Sequence, residues 1–379
     1  PGPETRISLQ GIVGSAAIIN GDASGRNLTF GGAGNITVNG GISSFINDVA
    51  KDGTGTLTLA GNNGYAGTTT VGTGGAIKVT HNNGLSGTGV TVNSGGALQF
   101  AQAAGSVDIN VVAVPASITG TGVSNDGAIR NLNGNNSFLG SITVNDASRI
   151  NADSGSTLTL SGGISSHNKA LTVGGAGNIT VSATINLDAL SSGTRGSLTK
   201  DGAGTFTFAS AGTLTGTVGK LHIDNGTFKV GGTGTATLNT DELTATASLG
   251  TLLIASGGTV NAVFDEGITA YNGILSGSSV GTLALSSTGT NNSGIQFTNT
   301  VNAPGLTLKV GGSTIGGSNE AEYFTLTFGG SQDITVGTLH ITGDTILDFN
   351  NSAGTFLSSA TLIIDAGVKI LVKNWISVA

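Results

Sequence analysis

The chain has 379 residues, 66 of them Gly and only 4 Pro, no Cys and no Met, and a formal charge of −7. Charged residues make up 9% of the chain, against about 25% in ordinary soluble domains. This composition excludes the concentrated basic surface that nucleic acid needs, any disulfide or thiolate framework, and any helix apolar enough to cross a bilayer. Disorder is disfavoured because 37% of the residues are hydrophobic and mean hydropathy is +0.22. Gly lacks the three-residue period of collagen. The absence of Met, at position 1 as elsewhere, predicts a processed or truncated chain from which any signal peptide has gone.

In chain order, the first distinctive phrase is Leu28-Thr-Phe-Gly-Gly-Ala-Gly-Asn-Ile-Thr-Val38, followed by Lys51-Asp-Gly-Thr-Gly-Thr56. Short runs of alternating polarity come next: Thr56–Leu59, Thr68–Val71, Ala76–Val79, Val90–Val92 and Ala97–Phe100. Period-two alternation predicts strands, with Leu57 and Leu59 on one face and their Thr neighbours on the other. Gly- and Asn-rich turns separate the runs, and Asn-Gly pairs recur at Asn39, Asn63, Asn83, Asn133, Asn225 and Asn272. These pairs predict sharp turns at positive φ. The two phrases return as Leu171–Val181 and Lys200–Thr205. Their return in the same order marks a duplicated block.

Leu57 to Ile77 and Leu59 to Val79 are each 20 residues apart, and Ile77 to Leu98 and Val79 to Phe100 are each 21. Runs this short at so steady an interval predict an all-β parallel β-helix, or β-solenoid, with coils of about 20 residues. A row of sandwiches or hairpin barrels is the alternative, since Asn-Gly also serves hairpins; the absence of any long strand favours the β-helix. At that coil length the chain forms roughly 18 or 19 coils, a rod of about 85–90 Å. Outward Thr, Ser and Asn are expected to stack on their equivalents in adjacent coils. Residues 1–240 carry the repeats. Residues 241–379 are expected to be a divergent continuation ending in a C-terminal cap.

The stretch Val49-Ala-Lys-Asp-Gly-Thr-Gly-Thr-Leu-Thr-Leu-Ala-Gly-Asn-Asn-Gly-Tyr-Ala-Gly-Thr-Thr-Thr-Val71, continuing through Gly74–Val79 and Gly87–Leu98, resembles the autotransporter-associated β-strand repeat of bacterial passenger domains. Ser197–Phe208 and Gly226–Val230 resemble it more weakly, and Val368–Trp375 is similar to the tails of large repeat proteins of this type. The resemblance is strong over about fifty residues. It implies a right-handed β-helix, export, a cell-surface or extracellular location and no active site. No stretch looks like a membrane-anchoring barrel, which needs aromatic girdles that 1 Trp and 3 Tyr cannot supply.

Sites for chemistry are few. Gly31–Ile36 and Gly174–Ile179 begin like the nonapeptide calcium repeat, but Ile36 and Ile179 stand where its Asp ligand belongs, so a Gly-rich bend is the better reading. His81, His167, His222 and His340 lack metal-ligand spacing and read as solvated turn residues. No cofactor and no metal is expected. β-Helical folds also host polysaccharide-cleaving enzymes, so the acidic pairs Asp241-Glu242, Asp265-Glu266 and Glu320/Glu322 matter. Adjacent strand residues face opposite ways, which leaves Glu320 and Glu322 as the least unsuitable couple, on one face if strand-like. A solvated acidic loop is the preferred reading of them. Trp375 is expected to cover the last coil or to dock on a neighbour.

The composition and the resemblance together favour a non-catalytic stalk, surface-layer or fibre subunit. Its expected partner is itself, head-to-tail or laterally, because low surface charge removes a usual barrier to self-association. The alternative is a monomeric adhesin that binds a host or matrix surface through the divergent region 241–350. A polysaccharide-active enzyme is the least favoured reading.

Overall fold

A computed structural model describes residues 5–7, 11–13, 25–102, 110–111, 113–187, 196–246, 249–264, 267–276, 281–288, 293–299, 301–312, 315, 317, 319–328, 334–350 and 357–374. The chain is an all-β solenoid of stacked parallel coils, about 13 turns with about 23 residues per turn. Fewer and longer coils are thus present than the local 20–21-residue interval predicts. The interval holds where it was measured: Leu57 pairs with Ile77 and Ile77 with Leu98, all in parallel. Elsewhere loops lengthen the coil without disturbing the strands. Phe100 pairs with Asn131, and Leu308 with Leu339, each 31 residues on. Loop length adds closure entropy only slowly, so such insertions are tolerated.

The chain divides into two compact units, Pro1–Gly196 and Ser197–Ala379. In the first, one inward column runs Leu28, Val49, Thr69, Val90, Ala116, Ile142, Ile164 and Ile185 through successive coils. A second runs Ile36, Leu57, Ile77, Leu98, Ile129, Ile150 and Val173. All these side chains are buried. Burial of about 0.8 kcal/mol per methylene, repeated at each coil, holds the stack together. In the second unit Phe206, Phe228, Leu252, Leu275, Val301 and Ile334 form one column. The Phe206 and Phe228 rings stack at 4.8 Å, the separation of neighbouring strands. Pairing continues without a break through residue 240, which lies inside the strand Thr235–Ala245, and on to Ile370–Lys373.

Outward polar residues form the expected ladders between coils: Asn47 Nδ2 donates to Asn27 Oδ1, and Asn261 Nδ2 to Asn239 Oδ1 at 2.9 Å. The Asn-Gly turns differ from expectation. Among the six, only Gly134 and Gly226 sit at positive φ. Asn63 acts through its side chain instead, as described below. Among the described residues, no helix is long and apolar enough to cross a membrane.

Candidate functional site

The residues that carry the repeat phrase converge on the interior. Lys51 has the same strand parity as Val49, so its side chain points inward between Phe30 and Val71 of the flanking coils. It is 1% exposed. Its ammonium donates to the carbonyl oxygens of Asp52 at 2.5 Å and Gly53 at 3.0 Å, closing the Gly-rich bend from inside. Burial lowers its pKa, and the neighbouring Asp52 carboxylate opposes that shift. Lys200 repeats the arrangement in the second unit. It is 2% exposed and donates to the carbonyls of Asp201, Gly202 and Asn225 at 2.6, 2.7 and 3.1 Å. Each Lys-Asp-Gly-x-Gly phrase is therefore a buried cation caging the carbonyls of its own turn, and Lys200 reaches in addition a carbonyl of the next coil. The sequence signal for this burial was the inward parity of Lys51 and Lys200, which their charge masks.

The rest of the phrase is similarly engaged. Gly53 (φ 73°) stacks on Gly32 of the coil below, and a Cβ there would lie 2.6 Å from the Gly32 carbonyl oxygen. Asn35 Oδ1 accepts from the Thr56 amide at 2.9 Å, tying the first Gly-Gly-Ala-Gly-Asn phrase to the Lys-Asp-Gly coil above it. Ile36 and Ile179, at the position where the calcium repeat has Asp, are core residues. Asn63, 7% exposed, accepts from the Ile42 amide at 2.8 Å and donates to the Gly84 carbonyl at 2.7 Å, bridging three successive coils. Tyr65 is buried, and its hydroxyl bonds Thr69 Oγ1 at 2.6 Å.

The acidic candidates are dispersed. Glu242 pairs with Lys220 at 2.8 Å across adjacent coils. Glu320 and Glu322 stand on a single 3-10 turn, Glu320–Glu322, capped by the Asn319 side chain, so they do not share a strand face. The reason is local: Asn319 accepts from the Ala321 amide and starts a turn where an extended chain was expected. Beside this turn is a cleft of about 540 Å³ lined by Gly317, Glu320, Tyr323, Lys369, Ile370 and Leu371. Its polar groups hold one another. The buried Asp344 carboxylate accepts from the amides of Gly317 and Lys369, at 2.6 and 2.7 Å. Lys369 Nζ and the Tyr323 hydroxyl both donate to the Gly317 carbonyl. Glu320 is ion-paired with Lys373. Desolvation and the nearby Asp344, Glu320 and Glu322 carboxylates raise the Tyr323 phenol above its ordinary value.

Two histidines lie on strands and not in turns. His222 Nδ1 meets Thr244 Oγ1 at 2.6 Å, with Asp224 at 3.3 Å from Nε2, and His340 Nε2 lies 2.8 Å from Asp365. His81 accepts from the Asn83 amide, and His167 is exposed. Among the described residues, no group of three His, Asp or Glu side chains could hold a metal ion. Asp265, Glu266 and Trp375 lie outside the described residues.

No protein-family model matches the chain, and neither a curated protein nor a solved structure is significantly similar to it.

Proposed function

We propose that the chain is a non-catalytic structural protein of the bacterial cell surface or extracellular space, a β-solenoid of the autotransporter-passenger type serving as a stalk, surface-layer or fibre subunit. The observation that carries this reading is the fate of the repeated phrase. Gly53 packs on Gly32 and Asn63 bonds the coils on either side of it, while the buried Lys51 and Tyr65 brace their own coil from within and Lys200 does both. The low charge of the chain and the outward Thr and Asn ladders fit association between copies. Electron microscopy of the purified protein tests the reading: assemblies of constant width are expected, whereas monodisperse monomers at high concentration contradict it.

A further inference from the structure

One Asn-Gly pair lies against a buried cation. Asn225-Gly226 follows Ile223, the coil partner of Lys200, by one residue, and Lys200 Nζ donates to the Asn225 backbone carbonyl at 3.1 Å. The Gly226 amide belongs to the same peptide group. It donates to the Asn225 side-chain Oδ1 at 2.7 Å and to the Leu249 carbonyl at 3.0 Å. Gly226 has φ 71°, and no side chain shields its nitrogen. Both residues are half-buried, so water reaches them. The other pairs are arranged differently. The Asn63 carboxamide is held at both ends, by Ile42 and Gly84. Asn272 Oδ1 accepts from Thr298, and the Asn133 carbonyl accepts from the neutral Asn136 side chain. Among the described Asn-Gly pairs, Asn225 alone has both a cation on its carbonyl and its own carboxamide against the following nitrogen. In the first unit, Val71 is the coil partner of Lys51 and is followed by Gly72-Thr-Gly-Gly75, without an Asn.

We infer that Asn225-Gly226 is a self-modification site, at which the Lys200 ammonium promotes cyclisation of Asn225 and its conversion to aspartate or isoaspartate. The peptide group is conjugated, so the negative charge left when the Gly226 N–H ionises is shared with the Asn225 carbonyl oxygen. Lys200 stands on that oxygen and stabilises the charge, as a preorganised donor does at a developing oxyanion. The carboxamide lies against the nitrogen that must attack it, and rotation about Cβ–Cγ, a soft torsion, turns Cγ toward that nitrogen. The Gly226 proton passes to water. The bond between Gly226 N and Asn225 Cγ forms, the Cγ–Nδ2 bond breaks, and Nδ2 takes up a proton from water and leaves as ammonia. A second water then opens the succinimide at either carbonyl. The net change consumes a water and releases an ammonia, with no oxidant or reductant. The product carries a new carboxylate beside Lys200, and the isoaspartate form adds a methylene to the main chain at the start of the strand Gly226–Val230.

Peptide mapping by mass spectrometry reads the reaction at each Asn-Gly pair when the full-length protein is held at mildly alkaline pH, in buffer and in guanidinium chloride. Asn225 is expected to react faster in the folded chain than in the unfolded one. Asn63, with its carboxamide held at both ends, is expected to react more slowly when folded. Lys200→Met keeps the apolar stem and removes the cation. Its folded rate at Asn225 should fall by about 10- to 100-fold, at or below the lower end for loss of one preorganised donor because the site is half-exposed. Circular dichroism shows whether the variant has kept its fold, and where it has not, the comparison of folded and unfolded wild type decides alone. The proposal is overturned by a folded chain in which Asn225 reacts no faster than in denaturant, by equal acceleration at Asn63, or by a folded Lys200→Met variant with an unchanged rate. Scission between Asn225 and Gly226 in place of conversion to the acid also overturns it, because Nδ2 would then be attacking the backbone carbonyl.

Discussion

Replacing Lys51 separates the two things its side chain does. Lys51→Met keeps the apolar stem between Phe30 and Val71 and removes the ammonium that satisfies the Asp52 and Gly53 carbonyls. Leaving a buried acceptor unpaired costs about 1–3 kcal/mol, and relief from burying a charge offsets part of the cost of two. A net loss of about 1–3 kcal/mol is expected for Met. Lys51→Ala also deletes three methylenes, which adds about 2 kcal/mol. Solenoid coils open locally, so the assay is native-state hydrogen exchange on the Thr56–Leu59 and Thr68–Val71 amides, supported by urea denaturation. The pH dependence has a definite sign. The folded pKa of Lys51 is lowered, so the unfolded chain binds more protons between that value and about 10.4. Over that window the wild-type advantage over Met therefore grows as pH rises. A Met variant as stable as wild type, or Met and Ala variants equal to each other, would show that the caged carbonyls do not hold the bend.

Asn63→Ala leaves the Ile42 amide and the Gly84 carbonyl unpaired across three coils, a loss of about 2–4 kcal/mol. Faster exchange of the Ile42 amide checks it, and unchanged protection there contradicts the ladder. The tyrosines provide an alkaline test. Burial raises the Tyr65 and Tyr271 phenols, so the folded protein retains protons that the unfolded chain releases near pH 10. Their contribution is complete below about pH 10 and is lost as pH rises above it. Tyrosinate absorbance should therefore appear together with loss of the β-sheet signal, and gradual ionisation in an intact fold would refute this.

Much of the fold was legible because a solenoid writes its geometry locally. Alternation in Thr56–Leu59 and Ala76–Val79 fixed which side chains point inward, and the spacing of Leu57, Ile77 and Leu98 fixed their register to the residue. Coil number was not legible. The chain between Phe100 and Asn131, or between Leu308 and Leu339, carries no period that separates loop from strand. The Glu320 turn and the strand positions of His222 and His340 depend on capping and on neighbours a coil away, which local pattern does not reveal.

By itself, the sequence determined the all-β class, the stacking of parallel coils and the inward columns, because each follows from side-chain parity over a few residues. Only the tertiary structure decided what the repeated Lys-Asp-Gly phrase does. Parity placed Lys51 and Lys200 inside, against the cost of burying a charge. That conflict is resolved by the carbonyls of the bend that follows each lysine, which converge on its ammonium, with the Asn225 carbonyl of the next coil added at Lys200.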